Sequence, residues 1–152
     1  MIRKIKIEIE NRLSVIAVLL DEQAPETCEK IWQSLPLQGK LMHGIVTGRE
    51  VFLPLNNKLE ILPENQTIYP IEGDLCYYYK PAHYVYLETP MAEREIEVIS
   101  LVYGRDTQMF GPVLPLPVNH FATLESDKDN LVKKISYMRL HGFNVMTITR
   151  LV

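Results

Sequence analysis

Residues 74–79 read Asp-Leu-Cys-Tyr-Tyr-Tyr, and both alternating faces of this run are largely apolar or aromatic. Successive side chains of a strand point to opposite faces, so a strand of this composition is packed on one side and at least partly covered on the other. That suits the wall of a β-barrel. From His43 to Tyr103, β-branched and aromatic residues are punctuated by Pro54, Asn56-Asn57, Pro63, Pro70, Gly73, Pro81 and Pro90. The pattern predicts several short strands joined by tight turns. Downstream, Glu95 to Tyr103 reads as another wall strand. Gly104 to Val118, carrying Gly111, Pro112, Pro115 and Pro117, reads as a long irregular loop, and loops of that length in compact domains are often functional.

The flanks complete the pattern. Ile5, Ile7 and Ile9 alternate with Lys6, Glu8 and Glu10, which is the period of a half-buried strand, and a second strand from Leu13 to Leu20 follows as a hairpin partner. Pro25 suits the first position of a helix, where its missing N–H costs nothing. Cys28, Ile31, Trp32 and Leu35 recur at helical spacing, so a helix is expected over Pro25 to Leu35, stopped by Pro36. A strand from about Asn119 to Leu124 precedes a second helix, capped by Ser126 or Asp127 and striped by Leu131, Ile135 and Met138. Gly142 suits the left-handed position that ends it. Asn144 to Val152 makes a closing strand.

The chain has 152 residues, 47% of them hydrophobic and 23% charged, the profile of one domain with one core. The net charge is −3, and Lys and Arg are scattered rather than gathered into a stripe, which argues against a nucleic-acid partner. Cys28 and Cys76 lie in no metal-ligating spacing and are expected to be reduced. Val15 to Leu20 is the longest apolar run, far short of the roughly 20 residues that cross a bilayer. No membrane partner is expected, and with a charged, alternating start instead of a signal-peptide core the cytoplasm is the expected location. Asn65-Gln66-Thr67 matches a glycosylation acceptor by chance.

The order strand, strand, helix, many strands, long loop, strand, helix, strand resembles that of a cyclophilin barrel. LDEQAPETCEKIWQSLP (20–36) looks like the cyclophilin helix that opens on a proline-threonine pair, and the tail from Asn119 resembles the last strand, helix and strand of that fold. GREVFLPL (48–55), ENQTIYPIEGDLCYYY (64–79), Tyr103-Gly104 and NHFATL (119–124) resemble a prokaryotic cyclophilin-like family of unknown function. The resemblance implies a mainly β fold, a closed cyclophilin-like β-barrel with two capping α-helices, as a single domain. It also marks a departure. Prolyl isomerases carry a catalytic arginine after a phenylalanine-histidine pair, and members of the uncharacterised family often carry an arginine-tryptophan pair, where this chain has His43-Gly44-Ile45-Val46. Prolyl isomerase activity is therefore expected to be negligible.

The chain has no GxSxG elbow, P-loop or dinucleotide fingerprint. His43, His83, His120 and His141 fall on separate elements without ligand spacing, so neither a metal site nor a cofactor is expected. Arg49 and Glu50, adjacent on a strand, face opposite sides: Arg49 with Val51, Leu53 and Leu55, Glu50 with Phe52. A rim salt bridge is the ordinary use of such a pair; a charged group beside a pocket is the functional one. Tyr77, Tyr78, Tyr79, Tyr84 and Tyr86 are good strand formers that also suit an aromatic platform. Met109 and Phe110 sit in the long loop, where propensity does not require them, and the cyclophilin resemblance places Asn119 and His120 near that fold's site histidine. The candidate binding residues are thus Arg49, Glu50, Tyr78, Phe110, Asn119 and His120, around the open face of the barrel.

Three readings of function stand: a domain binding a small molecule at that rim; a hydrolase or isomerase, or an accessory subunit of one, acting on a small amide-containing substrate; and an oligomeric assembly protein. The first leads, with a small, flat, polar ligand such as a cyclic amide or carboxylate and Arg49 as the anion partner. Self-association is expected from Met109, Phe110, Val113, Leu114 and Leu116, apolar residues in a loop with little core to enter.

Overall fold

The computed structural model describes residues 2–10, 13–82, 94–111, 114–125, 128–142 and 144–152. The expectations that involve His83, Tyr84, Tyr86, Pro90, Pro112, Val113, Ser126 and Asp127 lie outside these residues.

Alternation sets the first ladders. Strand β1 (Lys4–Ile9) pairs antiparallel with β2 (Leu13–Leu19), Ile9 opposite Leu13, and Ile5, Ile7 and Ile9 all point into the core. Helix α1 (Pro25–Ser34) starts on its proline and buries Thr27, Cys28 and Ile31. Its Trp32 packs against the core while the guanidinium groups of Arg3 and Arg150 lie 5.4 and 5.2 Å from its ring centroid, a cation–π arrangement that ties the helix to the sheet. Arg150 also donates from Nε to the Trp32 carbonyl at 3.1 Å.

The chain beyond Pro36 is already strand, which the sequence reading did not foresee. β3 (Leu37–Lys40) and β4 (Met42–His43) are separated by Leu41 alone. β5 (Glu50–Pro54), the short β6 (Gln66–Thr67), β7 (Asp74–Lys80) and β8 (Ile96–Val102) follow, then β9 (Val118–Leu124), a single 3-10 turn (Lys128–Asn130), helix α2 (Leu131–His141) and β10 (Val145–Leu151). Helix α2 buries Leu131, Ile135 and Met138 and ends on Gly142 at φ 96°, where the glycine N–H reaches the Met138 carbonyl at 3.1 Å. Cys28 and Cys76 are free thiols, both buried.

All pairings are antiparallel, in the order β3-β10-β1-β2-β9-β7-β8-β5-β4, with β6 added to β9. Among the described residues no hydrogen-bonded ladder joins the two ends of this order, so the hydrogen-bond closure expected of a barrel is not present. The ends are instead consecutive in the chain: residues 37–40 pair with β10 and residues 42–43 with β5. Across the seam the walls approach closely, since a Cβ on Gly39 would come within 2.9 Å of Leu53 Cδ1. Among the described residues no helix is long and apolar enough to cross a membrane.

Candidate functional site

Strand β7 divides the interior. Leu75, Tyr77 and Tyr79 face the main core, whereas Cys76 and Tyr78 face outward and join Val102, Met109 and Val118 in a second, smaller cluster. The registers continue this outward row: Cys76 lies opposite Ser100, Ser100 opposite Phe52, and Val102 opposite Glu50. The segment 104–111 crosses the row as a cover. Its Gln108 N–H donates to the Thr47 carbonyl at 3.0 Å and its Met109 N–H to the Ile68 carbonyl at 2.8 Å. Met109 is therefore buried, which corrects the expectation that it forms exposed apolar surface; Leu114 is exposed, and an exposed apolar pair, Ile45 and Val46, lies between β4 and β5.

Glu50 is only 6% exposed. Its Oε1 accepts a hydrogen bond from the Thr47 hydroxyl at 2.8 Å, while its buried Oε2 makes no hydrogen bond among the described residues. Burial pushes the carboxyl above its ordinary range, against the opposing pull of the Thr47 and Ser100 hydroxyls. Gly44 is required beside it, because a Cβ there would lie 2.6 Å from Glu50 Cγ. Ser100 and Thr107 are buried nearby on the same wall and its cover. Cys76 is held as an unreactive thiol: burial first, then the charges of Asp74 and Glu50, push its pKa well above the ordinary value.

His120 lies opposite Cys76 on the same outward wall and is partly exposed. Its Nε2 lies 3.1 Å from Asp74 Oδ1. Asp74, buried at the start of β7, is a residue of this wall that the sequence reading did not single out; the signal was present, because alternation from Cys76 puts Asp74 on the same face.

The remaining candidates lie elsewhere. Arg49 precedes β5, is exposed, and lies over Gly104, where any Cβ would come within 3.3 Å of its Nη1; it forms no ion pair with Glu50 among the described residues. Tyr78 is half-buried in the outward cluster, and Phe110 is half-buried with its backbone bridged to Pro115. Asn119 faces the other way and is 3% exposed. Its Nδ2 donates to Thr27 Oγ1 at 3.2 Å and to the Leu62 carbonyl at 2.9 Å, and its Oδ1 accepts from the Glu64 N–H at 3.1 Å. Glu64 completes the knot by accepting at Oε2 from the Thr27 N–H (2.8 Å) and hydroxyl (2.7 Å). It thereby caps α1, whose own N-cap residue, Ala24, has no side-chain acceptor. Asn119 is a fastening of the fold.

Both ring nitrogens of His43 are buried and meet the geometric criterion of a hydrogen bond with none of the described residues, and its ring meets Tyr103 edge-on with centroids 5.8 Å apart. It shares the Val51 register position and so faces away from Glu50. Burial, with Arg139 adding to it, lowers its pKa against the opposing pull of the Ile135 carbonyl. Among the described residues no group of three or more His, Cys, Asp or Glu is arranged to hold a metal ion. A groove of about 470 Å³ opens at the seam between residues 36–38 and 54–57. None of the six candidates lines it.

A family model described as "Protein of unknown function (DUF3830)" matches residues 7–150. No curated protein matches the chain. Similar solved structures include one described as McbB in complex with tryptophan, at 15% identity and a TM-score of 0.67 over 96% of this chain and 44% of that one. They also include the solution structure of the hypothetical protein AF2241 from Archaeoglobus fulgidus, at 18% identity and a TM-score of 0.59, covering 98% of this chain and 95% of that one. The chain thus spans under half the length of the McbB chain, and at these identities the likeness concerns the fold.

Proposed function

Since the chain belongs to the DUF3830 family of proteins of unknown function, we propose that it is a cyclophilin-like barrel domain that binds a small molecule on its outward wall beneath segment 104–111. Closure of the barrel is supported by the continuous run 37–43, which leaves the β10 ladder and enters the β5 ladder with one residue between. The observation that carries the binding site is the buried Glu50 carboxyl, one oxygen of which makes no hydrogen bond among the described residues. Buried polar groups left without a partner are costly and concentrate where function requires them. Thr47, Ser100 and Cys76 surround that oxygen's wall with small polar groups, and Met109 and Val102 supply apolar area, the mixture that small-molecule sites use. Prolyl isomerisation is not part of the reading, because Ile45 and Val46 are exposed between strands and offer no guanidinium. A coupled peptide assay is expected to show no turnover above the uncatalysed rate.

The test is a thermal-shift panel of small amides, carboxylates and amino acids, tryptophan among them because the McbB structure holds it. A ligand at a hundred times its Kd adds about 2.7 kcal/mol to the folded state, roughly 5–10 °C for a domain of this size. At least one panel member is expected to shift the wild type and to leave Glu50→Leu unshifted. Equal shifts in both proteins would remove Glu50 from the site.

A further inference from the structure

The strongest arrangement outside the Glu50 carboxyl is the unit formed by Asp74, His120 and Thr123 at the meeting of β7 and β9. Regular alternation would put His120 and Thr123, three residues apart, on opposite faces. A bulge between the Leu75 and Cys76 pairings breaks the alternation, so that both side chains reach Asp74. His120 Nε2 lies 3.1 Å from Asp74 Oδ1, 3.2 Å from the Ala122 carbonyl and 3.0 Å from Thr123 Oγ1.

These contacts fix the tautomer. A backbone carbonyl and a carboxylate offer only lone pairs, so Nε2 carries the ring proton and donates it. Nδ1 is then the bare, basic nitrogen, and it makes no hydrogen bond among the described residues. Asp74 is anchored in turn: its Oδ2 accepts from the Ile71 N–H at 2.9 Å, and the Thr123 hydroxyl donates to its Oδ1 at 3.4 Å. An imidazole with one nitrogen held by an anchored carboxylate and the other bare is the arrangement of an oriented general base. The segment that brings Ile71 to Asp74 also carries two exposed apolar side chains, Tyr69 and Ile71.

We infer that His120, oriented by Asp74, is a general base that activates water against small esters. Nδ1 takes a proton from water as the water oxygen bonds to the acyl carbon. The bond from that carbon to the alcohol oxygen then breaks, and the imidazolium returns its proton to the departing alkoxide. Asp74 is the positioning residue, facing the ring while it is positively charged. The inference does not rest on Glu50, which lies on β5 with β7 and β8 between.

The experiment measures p-nitrophenyl acetate hydrolysis by the full chain at neutral pH, beside free imidazole at equal concentration. The wild type is expected to exceed free imidazole at least tenfold. His120→Gln is expected to lose at least nine-tenths of that rate, and His141→Gln, at the exposed end of α2, to lose none. A long-range proton–nitrogen NMR spectrum is expected to show His120 as the Nε2–H tautomer, with Asp74→Asn mixing the tautomers and lowering the rate about tenfold. A wild-type rate no greater than that of imidazole, an undiminished rate in His120→Gln, or an Nδ1–H tautomer would overturn the inference. Should Asp74→Asn fail to fold, the other variants and the wild-type spectrum decide the matter.

Discussion

Replacing Asn119 by alanine is expected to destabilise the protein by about 3 kcal/mol, since three hydrogen bonds of roughly 1 kcal/mol each disappear and the groups they held are left buried without partners. For a domain of this length that is a fall in Tm of roughly 6–12 °C. The loss follows from what Asn119 joins: the first turn of α1 through Thr27, the segment between β5 and β6 through the Leu62 carbonyl, and the Glu64 backbone. Glu64 adds a pH dependence. Burial raises its pKa, but the Thr27 hydroxyl and the backbone N–H groups of Thr27 and Glu26 outweigh that and hold it below the ordinary 4.5. A carboxyl depressed in the folded state contributes stability that is present above the unfolded pKa and is lost as pH falls through the folded one. The wild type is therefore expected to weaken below about pH 4.5, and Asn119→Ala to be less stable than the wild type already at neutral pH. Urea unfolding measures both, and a change under about 1 kcal/mol would mean that the knot contributes less than its geometry implies.

Glu50→Gln is expected to act in the opposite direction, stabilising the fold by about 1–2 kcal/mol at neutral pH, because it removes the cost of a buried carboxyl with an unpartnered oxygen. Here the folded pKa lies above the ordinary 4.5. The folded chain holds its proton more tightly than the unfolded chain does. The contribution is thus fully present below the unfolded pKa and is lost as pH rises through the folded one. Wild-type stability should decline on that rise, with Asp74 and Cys76 as the neighbouring titratable groups, and the glutamine variant should lack the decline. A gain in stability on removing a natural side chain is the usual mark of a residue kept for function. Destabilisation by Glu50→Gln would return Glu50 to a structural role.

The strands legible in the sequence were those in which alternation is strict. Ile5, Ile7 and Ile9, the apolar run from Leu13, the two-faced run at 74–79 and the stripe of Leu131, Ile135 and Met138 all fall where their periods put them. β3 was not legible, because Leu37-Gln38-Gly39-Lys40 has one buried side chain and a glycine pressed toward Leu53, and it is a strand through its pairing with β10. At the site, alternation correctly separated Glu50 from Val51 and Leu53. It could not place Arg49, which lies before the strand begins. Asn119 and His120 are adjacent and so were destined for opposite faces, one to fasten α1 and the other to meet Asp74. Which role fell to which depended on the 64–74 segment folding back on β9, a long-range event that local periodicity does not encode. The burial of Met109 is of the same kind.

The central claim, that a ligand binds on the outward wall around Glu50, is tested most directly by NMR titration of the wild type with the panel member that raises its melting temperature most. The resonances of Glu50, Ser100, Cys76, Gln108 and Met109 are predicted to move together with a single dissociation constant. Shifts confined to Gln38, Asn56, Asn57 and Thr147, the residues of the seam groove, would contradict the claim.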